Sequence, residues 1–353
     1  KRQVSAMQIG IFDESSRREK ITKLGDCLEQ MGKAVDFNQF IPILNNVFRH
    51  IDNGKGGRPP YSSLLMFKIL LIKRLYNLSY DQTEYQINDR ISFMRFLGLT
   101  ISDRVPDART IWLYEDIMSK QAAGKDLFGM FFRELTAKGY VAQEGRIIDA
   151  TFIEAPKRKN TAEQREKAKK GEVPEEWKDK PQKLLQRDLD ATWTKKAQQS
   201  YFGYKNNVKA DLKSKLIVDH TVTTASAHDA DGAEQLVDKD DKVLYADAGY
   251  AHMEVPEGVE NMISEKAERG HPLSEEQRMN NHVKAQRRCR IEHIFGNMVK
   301  ALGGTSIRCK RMPRAAFEIA LLNLLYNIRR VVTLNRLAEE AARKASRQQP
   351  AMA

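Results

Sequence analysis

The sequence predicts a mixed α/β fold in which a helical N-terminal region precedes a mixed β-sheet. Residues from about 15 to 135 have helical periodicity, interrupted by Gly, Pro and Asp. From Gly145 onward the pattern changes to short runs rich in β-branched and aromatic residues, which are typical of strands. The chain has 353 residues, and single cores stop growing at roughly 250–300 residues. Two domains are therefore expected.

The helical region divides into six predicted helices, at 20–31, 38–50, 62–77, 80–88, 92–97 and 107–120. Ser62 or Ser63 can cap the third helix and Asp107 the last one. Three short helices in a row, with Gly98 closing the second, are compatible with a helix-turn-helix-like unit that binds DNA. Small helical bundles that do not bind DNA share this pattern, so both interpretations stay open.

The C-terminal part contains five predicted strands, at 146–153, 200–210, 215–224, 242–246 and 260–266. The second and third alternate apolar with polar residues and are joined by a predicted turn at 211–214. A helix at 228–237 leads to the fourth strand. Strand, hairpin, helix and strand in this order build a ribonuclease-H-like mixed sheet. A last helix is predicted at 314–336, followed by a flexible tail at 338–353.

Residues 157–199 form a charged insertion between the first two predicted strands. The segment is crowded with Lys, Arg and Glu and poor in branched apolar residues. It can be a solvated, mobile insertion or a clamp that becomes ordered on DNA.

The charge of the chain favours a polyanionic partner. Charged residues make up 30% of the sequence and the formal net charge is +12, although a basic protein without such a partner has the same composition.

The three cysteines have no CxxC spacing, which excludes the usual zinc and disulfide frameworks and fits a reducing cytoplasm. No apolar run reaches the roughly 20 residues that span a bilayer, so no membrane partner is predicted.

Two aspartates follow apolar strands. Asp149 comes after Ile147 and Ile148, and an acid there is costly to bury unless it binds something. Asp247 ends the fourth strand and is followed by Gly249, which allows a sharp turn. Each residue alone also fits an ordinary turn or cap.

A third acid, Glu292, lies on a predicted amphipathic helix. At about 100° per residue, Ile291, Ile294, Phe295, Met298 and Leu302 form one apolar stripe. Arg288, Glu292 and Lys300 follow the border of this stripe, so a helix packed on the sheet would hold Glu292 at the sheet edge. An exposed Arg288–Glu292 pair at i, i+4 explains the spacing as well.

Two aspartates and a glutamate held on secondary structure suit phosphodiester chemistry. Such chemistry needs an activated attacking oxygen and a stabilised leaving oxygen, which two divalent ions roughly 3.5–4 Å apart supply. Mg²⁺ prefers carboxylate oxygen and water ligands. The hypothesis is therefore a site for two Mg²⁺ ions, with Mn²⁺ as a substitute.

Seven motifs in this order resemble the DDE transposases of bacterial insertion sequences, in the group typified by insertion sequence five. They are Gly57-Arg-Pro-Pro-Tyr61, Pro106-Asp-Ala-Arg-Thr110, Asp149-Ala-Thr-Phe-Ile-Glu-Ala-Pro156, Ser200-Tyr-Phe-Gly-Tyr-Lys205, Ala246-Asp-Ala-Gly-Tyr250, Arg288-Cys-Arg-Ile-Glu-His-Ile-Phe-Gly296 and Leu325-Tyr-Asn-Ile-Arg-Arg330. The resemblance implies that Asp149, Asp247 and Glu292 are the catalytic, metal-binding triad of a ribonuclease-H-like domain. It also implies that the helical region binds terminal inverted repeats.

The predicted function is Mg²⁺-dependent DNA cleavage and strand transfer by a transposase. Residues 1–140 are assigned to DNA binding and dimerisation, and residues 141–337 to catalysis. The expected partner is double-stranded DNA, both the element's ends and its target, bound by a homodimer near the nucleoid in the bacterial cytoplasm. The predicted DNA contacts are Arg109, Lys205, Lys209, Arg288, Arg290 and Lys300.

Two other functions fit the same sequence. One is a non-catalytic DNA-binding regulator with a transposase fold, and the other is a ribonuclease-H-like nuclease without strand transfer. Other acids and histidines near predicted strand ends also compete for the metal site, but loop or capping roles suit them better. They are Glu154, Asp219, His220, His228, Asp229 and Asp231.

Overall fold

The computed structural model describes residues 13–49, 59–157, 161–169, 172, 175–178, 180, 182, 186–196, 198–268 and 270–348. Its N-terminal helices are α1 (Asp13–Leu24), α2 (Cys27–Ala34), α3 (Ile41–Phe48), α4 (Ser63–Leu75), α5 (Tyr80–Asp89), α6 (Ile91–Leu97), α7 (Ala108–Lys120) and α8 (Ala123–Ala137), with a 3₁₀ helix at Phe37–Phe40 before α3. The later helices are α9 (Ala162–Lys169), α10 (Glu175–Lys178), α11 (Asp229–Ala233), α12 (Glu275–Arg288), α13 (Arg290–Ala301) and α14 (Met312–Gln348).

Side-chain caps set several of the N-terminal helix boundaries. Ser79 and Gln82 form a reciprocal capping box at the start of α5, and the Asp107 carboxylate accepts from the Thr110 amide at the start of α7, as predicted. The single helix predicted at 20–31 is wrong. Gly25 has φ of +90° and ends α1, and the Asp26 carboxylate then caps α2 by accepting from the Leu28 amide.

The sheet has six strands in the part of the chain that the structure describes: β1 (Arg146–Glu154), β2 (Thr192–Lys196), β3 (Gln199–Asp211), β4 (Ile217–Thr224), β5 (Val243–Ala246) and β6 (Glu260–Ile263). β4, β3 and β1 are antiparallel neighbours, and β5 and β6 continue from β1 in parallel. β2 pairs with the first residues of β3 beyond the end of β4. The predicted strands are confirmed apart from shifts of a few residues at their ends, and β2 was not predicted.

The long helix α14 joins the N-terminal helices to the sheet. It packs against α2, α4, α7 and α8 on one side and against β4 and α13 on the other. One hydrophobic core therefore runs from Leu28 in α2 to Val331 in α14, while a smaller core around Ile148 and Tyr250 covers the other sheet face with α11. The assignment of separate functions to residues 1–140 and 141–337 stays a prediction. The predicted tail from 338 continues the helix to Gln348, and residues 336–347 are exposed.

A buried charged cluster lies where α4, α7 and α14 meet. It consists of Lys73, Arg74, Glu115 and Glu318, each at most 4% exposed. The Lys73 ammonium is 2.9 Å from Glu115 Oε2 and also pairs with Glu318 Oε1. Arg74 Nε is 3.7 Å from Glu318 Oε2, and Arg74 Nη2 donates to the Gly304 carbonyl. Because two cations face two acids, the cluster is electrically balanced.

Candidate active site

Asp149 and Asp247 lie level with each other on neighbouring strands. In the parallel pairing of β1 with β5, Ile147 is opposite Tyr245. Two residues further along both strands, this register aligns Asp149 with Asp247, the first residue after β5. The two predicted aspartates therefore meet where β5 ends, beside the middle of the central strand β1.

Each carboxylate is held by a backbone amide close to it in the chain. Asp149 Oδ1 accepts from the Ala150 N–H at 2.8 Å, and Asp247 Oδ1 accepts from the Gly249 N–H at 2.8 Å. A Cβ on residue 249 would lie 2.9 Å from Asp247 Oδ1, which is too close for an unstrained contact. Glycine at 249 therefore lets the Asp247 carboxylate keep its position at the start of the 3₁₀ turn Ala248–Tyr250.

The negative charge of this acid pair is only partly balanced. Burial, with a smaller contribution from the neighbouring Asp247, raises the pKa of Asp149 to about 6, although the Ala150 amide, Arg288 and Lys196 each act to lower it. Arg288 Nη1 is 3.2 Å from Asp149 Oδ2, and this is the direct ion pair that Asp149 makes among the described residues. Two neighbouring acids with one close cation leave excess negative charge.

Tyr250 is a buried residue close to the two aspartates. Its side chain is 0% exposed, and its hydroxyl has no hydrogen-bond partner among the described residues. Burial raises the pKa of Tyr250, and the charges of Asp149, Asp229 and Asp247 raise it further. The hydroxyl therefore stays protonated and is available as a donor beside the acid pair. This feature was not predicted, because a single tyrosine in a turn gives no sign of the charges around it.

Glu292 lies one helical turn after Arg288. The predicted stripe is confirmed, since Ile291, Ile294, Met298 and Leu302 are all buried, and α13 packs against β1. Glu292 itself is exposed, at the start of α13. No three His, Cys, Asp or Glu side chains within the described residues are grouped closely enough to hold a metal ion. The structure thus brings together two of the three predicted ligands, with Glu292 on α13, directly after the helix α12 that ends at Arg288.

Two of the predicted DNA contacts are wrong for this structure. Lys209 is 0% exposed, and its ammonium pairs with Asp238 at 2.5 Å and Asp241 at 3.2 Å. Lys205 is 7% exposed and pairs with Asp229 at 2.6 Å. Both lie on the sheet face that α11 and the following loop cover, so their charges are used inside the protein.

The other predicted contacts differ in accessibility. Arg109 and Lys300 are exposed. Arg290 is half-buried, and its Nη1 donates to the Leu212 carbonyl at 3.2 Å. Arg288 is half-buried and bound to Asp149. A phosphate role for these four residues stays a prediction.

The competing acids and histidines have structural partners. Glu154 pairs with Lys157 at 3.0 Å, and Asp229 is the partner of Lys205. Asp231 and His228 cap the start of α11, and Asp219 accepts from the adjacent His220 amide. His220 packs edge-on against Phe128, and burial lowers its pKa to about 4. These contacts account for the residues without a metal.

Two known protein families match this chain, one over the helical N-terminal region and one over the region that contains the sheet. Residues 142–328 match the family described as "Transposase DDE domain", and residues 15–116 match the one described as "Transposase domain (DUF772)". The first match alone covers more than half of the chain. The chain therefore belongs to the family of transposases with a DDE domain, and by family it is an enzyme of DNA transposition.

One similar solved structure is a cryo-EM structure of the piggyBac transposase synaptic complex with hairpin DNA. The sequence identity is 9% and the TM-score is 0.45, over 89% of this chain and 75% of that chain. A likeness of this size adds no conclusion to the family matches.

Within the described residues, no helix is both long and apolar enough to cross a membrane.

Proposed function

We propose that this chain is the transposase of a bacterial insertion sequence in the group typified by insertion sequence five. It binds the element's terminal inverted repeats, cuts the DNA at the element's ends and joins the freed ends to target DNA. The observation that carries the proposal is the level pair of Asp149 and Asp247, whose negative charge Arg288 alone does not balance.

The strand order supports a ribonuclease-H-like catalytic domain. Three antiparallel strands, β4, β3 and β1, are followed by the parallel strands β5 and β6. This is the arrangement that the strand, hairpin, helix and strand order predicts. It places the first acid on the central strand and the second on its parallel neighbour.

The residues at the acid pair suit Mg²⁺, because hard carboxylate oxygens are the protein ligands that this ion prefers. Asp149, Asp247 and Glu292 would hold the ions, and Mn²⁺ could replace Mg²⁺. Two such ions supply Lewis-acid activation of the attacking and leaving oxygens. In this proposal Arg288 orients the Asp149 carboxylate, and the Tyr250 hydroxyl donates a hydrogen bond to the acid pair.

The chemistry consists of two displacements at phosphorus. In the first, a water oxygen bonds to phosphorus as the bond to the 3′-oxygen breaks, which frees a 3′-hydroxyl at the element's end. In the second, this hydroxyl oxygen bonds to a target phosphorus and displaces a target 3′-oxygen. No covalent link to the protein is needed in either step.

The DNA is bound by the remaining basic residues and by the helical region. Arg109 and Lys300 are exposed, Arg288 at the end of α12 is bound to Asp149, and Arg290 begins α13. Since the reaction joins two ends, a homodimer assembled on DNA near the nucleoid is part of the proposal.

The experiment is an end-cleavage and joining assay with purified protein in Mg²⁺. The substrate is labelled DNA taken from the regions that flank the coding sequence, with plasmid as target. Cleavage followed by joining supports the transposase. Cleavage without joining indicates a nuclease, and binding without cleavage indicates a regulator.

A further inference from the structure

The turn between β3 and β4 is held against α14 by side-chain hydrogen bonds to its backbone. The Tyr326 hydroxyl donates to the Lys215 carbonyl at 2.8 Å, and Arg330 Nε donates to the Ser214 carbonyl at 2.6 Å. Within the turn, the Ser214 amide and hydroxyl both donate to Asp211 Oδ2 at 2.8 Å. Lys215 has φ of +59°, a left-handed conformation that is uncommon for residues other than glycine. These contacts therefore fix the backbone of Lys215 beside α14.

A basic cavity of about 320 Å³ lies between this turn, α13 and α14. Its cations are Lys215 from the turn and Arg329 and Arg330 from α14, while α13 contributes His293 and Asn297. No aspartate or glutamate of the described residues lines it. The three cations are half-buried, but His293 and Asn297 are exposed. The cavity can therefore be reached from solvent.

The cations of the basic cavity are positioned by the backbone and have no counter-ion. Arg330 bonds the turn through Nε, which leaves its two Nη groups available, and Arg329 Nη1 donates to the Ala301 carbonyl. Among the described residues, Lys215, Arg329 and Arg330 form no ion pair. Burial and the charges of Arg330 and Arg290 lower the pKa of Lys215. Unlike the buried charged cluster, the cavity therefore holds positive charge that the protein does not balance.

The start of α13 connects the basic cavity to the acid pair. Arg288 Nη1 is 3.2 Å from Asp149 Oδ2, and two residues later Arg290 Nη1 donates to the Leu212 carbonyl at 3.2 Å. Leu212 follows β3 directly and is four residues beyond Val208, the residue of β3 that pairs with Asp149. At strand spacing this separation is roughly 13 Å, the rise of about four base pairs. One DNA duplex is therefore long enough to contact both places.

We propose that the basic cavity binds a phosphate group of the DNA backbone. The inference rests on the proposed function and adds a DNA contact outside the acid pair. Phosphate oxygens accept short hydrogen bonds from ammonium and guanidinium groups, and one guanidinium can bind two oxygens of a phosphate. A bound phosphate also offsets the repulsion among the three cations, which a neutral ligand cannot do. The contact gives a role to Arg329 and Arg330, the last two residues of the seventh sequence motif.

The test measures binding of a labelled duplex from the flanking DNA by fluorescence anisotropy as a function of salt concentration. Lys215→Met removes the charge and keeps most of the side-chain length. It is expected to weaken binding roughly 10-fold, the effect of one charge-assisted hydrogen bond. The slope of log affinity against log salt should become shallower by about 0.9. Lys215→Arg should restore both values.

The matched control is Lys213→Met in the same turn. Lys213 is exposed, and its ammonium pairs with Glu144 at 2.5 Å, outside the basic cavity. This variant loses the same formal charge as Lys215→Met and should change neither the affinity nor the salt slope. If Lys215→Met matches Lys213→Met, the proposal is overturned. Thermal unfolding of each variant, followed by circular dichroism, identifies any loss of binding that comes from misfolding.

A second arm separates the DNA backbone from a free phosphate compound. Thermal unfolding is compared in inorganic phosphate and in chloride of equal ionic strength. If phosphate stabilises the wild type but not Lys215→Met, while both bind DNA with the same salt slope, the cavity is a site for a small phosphate compound and the DNA contact is overturned. If Lys215→Met binds DNA with the shallower slope, the DNA backbone is the ligand.

The proposed function has its own readout. If the wild-type protein binds the duplex but fails to cleave it in Mg²⁺, the transposase proposal fails, while a shallower slope for Lys215→Met still establishes the phosphate contact. If the wild type cleaves and joins DNA and Lys215→Met keeps the wild-type slope, the basic cavity alone is wrong.

Discussion

The buried charged cluster and the acid pair each contain two buried or half-buried carboxylates, but they differ in charge balance. In the cluster, Glu115 and Glu318 face Lys73 and Arg74. Burial raises the pKa of Glu115, whereas at Glu318 Lys73 and Arg74 outweigh burial and lower the pKa. At the acid pair, burial and Asp247 raise the pKa of Asp149 to about 6 despite Arg288. Carboxylates whose charge is balanced by neighbouring cations hold helices together, while carboxylates whose charge is not balanced can bind an added cation.

The surroundings of the two sites agree with this division. The cluster joins α4 and α7 to α14 inside the main core, where a charge without a partner would be very costly. The acid pair lies where β5 ends beside the central strand β1, and Asp149 keeps 18% side-chain exposure. Carboxylates therefore stabilise the fold in the cluster and are available for chemistry in the acid pair.

The largest effect should come from removing an acid of the pair. Asp149→Asn or Asp247→Asn is expected to lower the DNA cleavage rate by more than the roughly 10- to 100-fold that loss of an outer-shell partner costs at metal sites. Asp219→Asn is the matched control, because Asp219 is also a strand carboxyl whose pKa burial raises. Cleavage rates in Mg²⁺ measure the difference. Equal losses in all three variants would show that the acid pair has no special role.

Removing a charge from the buried charged cluster should strongly lower the stability of the fold, with no specific effect on DNA cleavage. Lys73→Met leaves Glu115 and Glu318 facing each other with too little positive charge, which should cost about 3–5 kcal/mol in the free energy of unfolding. Lys23→Met removes an exposed pair with Glu19 and should cost less than about 0.5 kcal/mol. Urea denaturation gives both values. If the two variants lose the same amount, the cluster does not stabilise the fold as described.

The pH dependence of stability should distinguish the acid pair from ordinary surface acids. The pKa of Asp149 is about 6 in the folded chain, against 3.8 for an ordinary aspartate. The folded state keeps this proton where the unfolded chain has lost it, so stability falls as pH rises from about 4 to about 6. In metal-free buffer the fall attributable to Asp149 should be on the order of 1–3 kcal/mol. It is measured as the difference between the wild-type and Asp149→Asn unfolding curves.

Metal should reverse this trend at higher pH. Because Mg²⁺ binds the ionised acids, it should raise the unfolding temperature of the wild type above pH 6 and have little effect below it. Asp149→Asn should show neither the fall nor the rescue by Mg²⁺. A wild type whose stability ignores both pH and Mg²⁺ would contradict the charge imbalance on which the comparison rests.

The smallest effect should be that of a peripheral phosphate contact. Lys300→Ala is expected to reduce the slope of log affinity against log salt by about 0.9, with unchanged stability. Lys209→Met should leave the slope unchanged and reduce stability, because it strips Asp241 of a buried partner. Fluorescence anisotropy with labelled DNA measures both slopes. A shallower slope for Lys209→Met would restore that residue as a DNA contact.

Local patterns predicted the strands and the position of the two aspartates. Alternation and the turn at 211–214 defined β3 and β4, and the Asp211 carboxylate does accept from Ser214 in that turn. The apolar runs before Asp149 and Asp247 identified neighbouring strands, since an acid at the end of such a run is costly without a use. The helical period likewise placed Ile291, Ile294 and Met298 on the buried side of α13.

Long-range contacts explain what the sequence could not predict. Lys205 and Lys209 alternate with apolar residues as exposed lysines would, and only the packing of α11 and the 238–241 loop shows that they are covered. β2 lies in a highly charged segment and is defined by its pairing with β3 rather than by its own composition. The exposure of Glu292 depends on how α13 lies on β1, which the helical period alone does not fix.

The most direct test of the acid pair as a metal site is a titration of Mn²⁺ followed by electron paramagnetic resonance, with end DNA present. The wild type is expected to bind two ions per chain, and Asp149→Asn and Asp247→Asn should lose them while Asp219→Asn keeps them. Equal Mn²⁺ binding by the wild type and by both acid-pair variants would contradict the account.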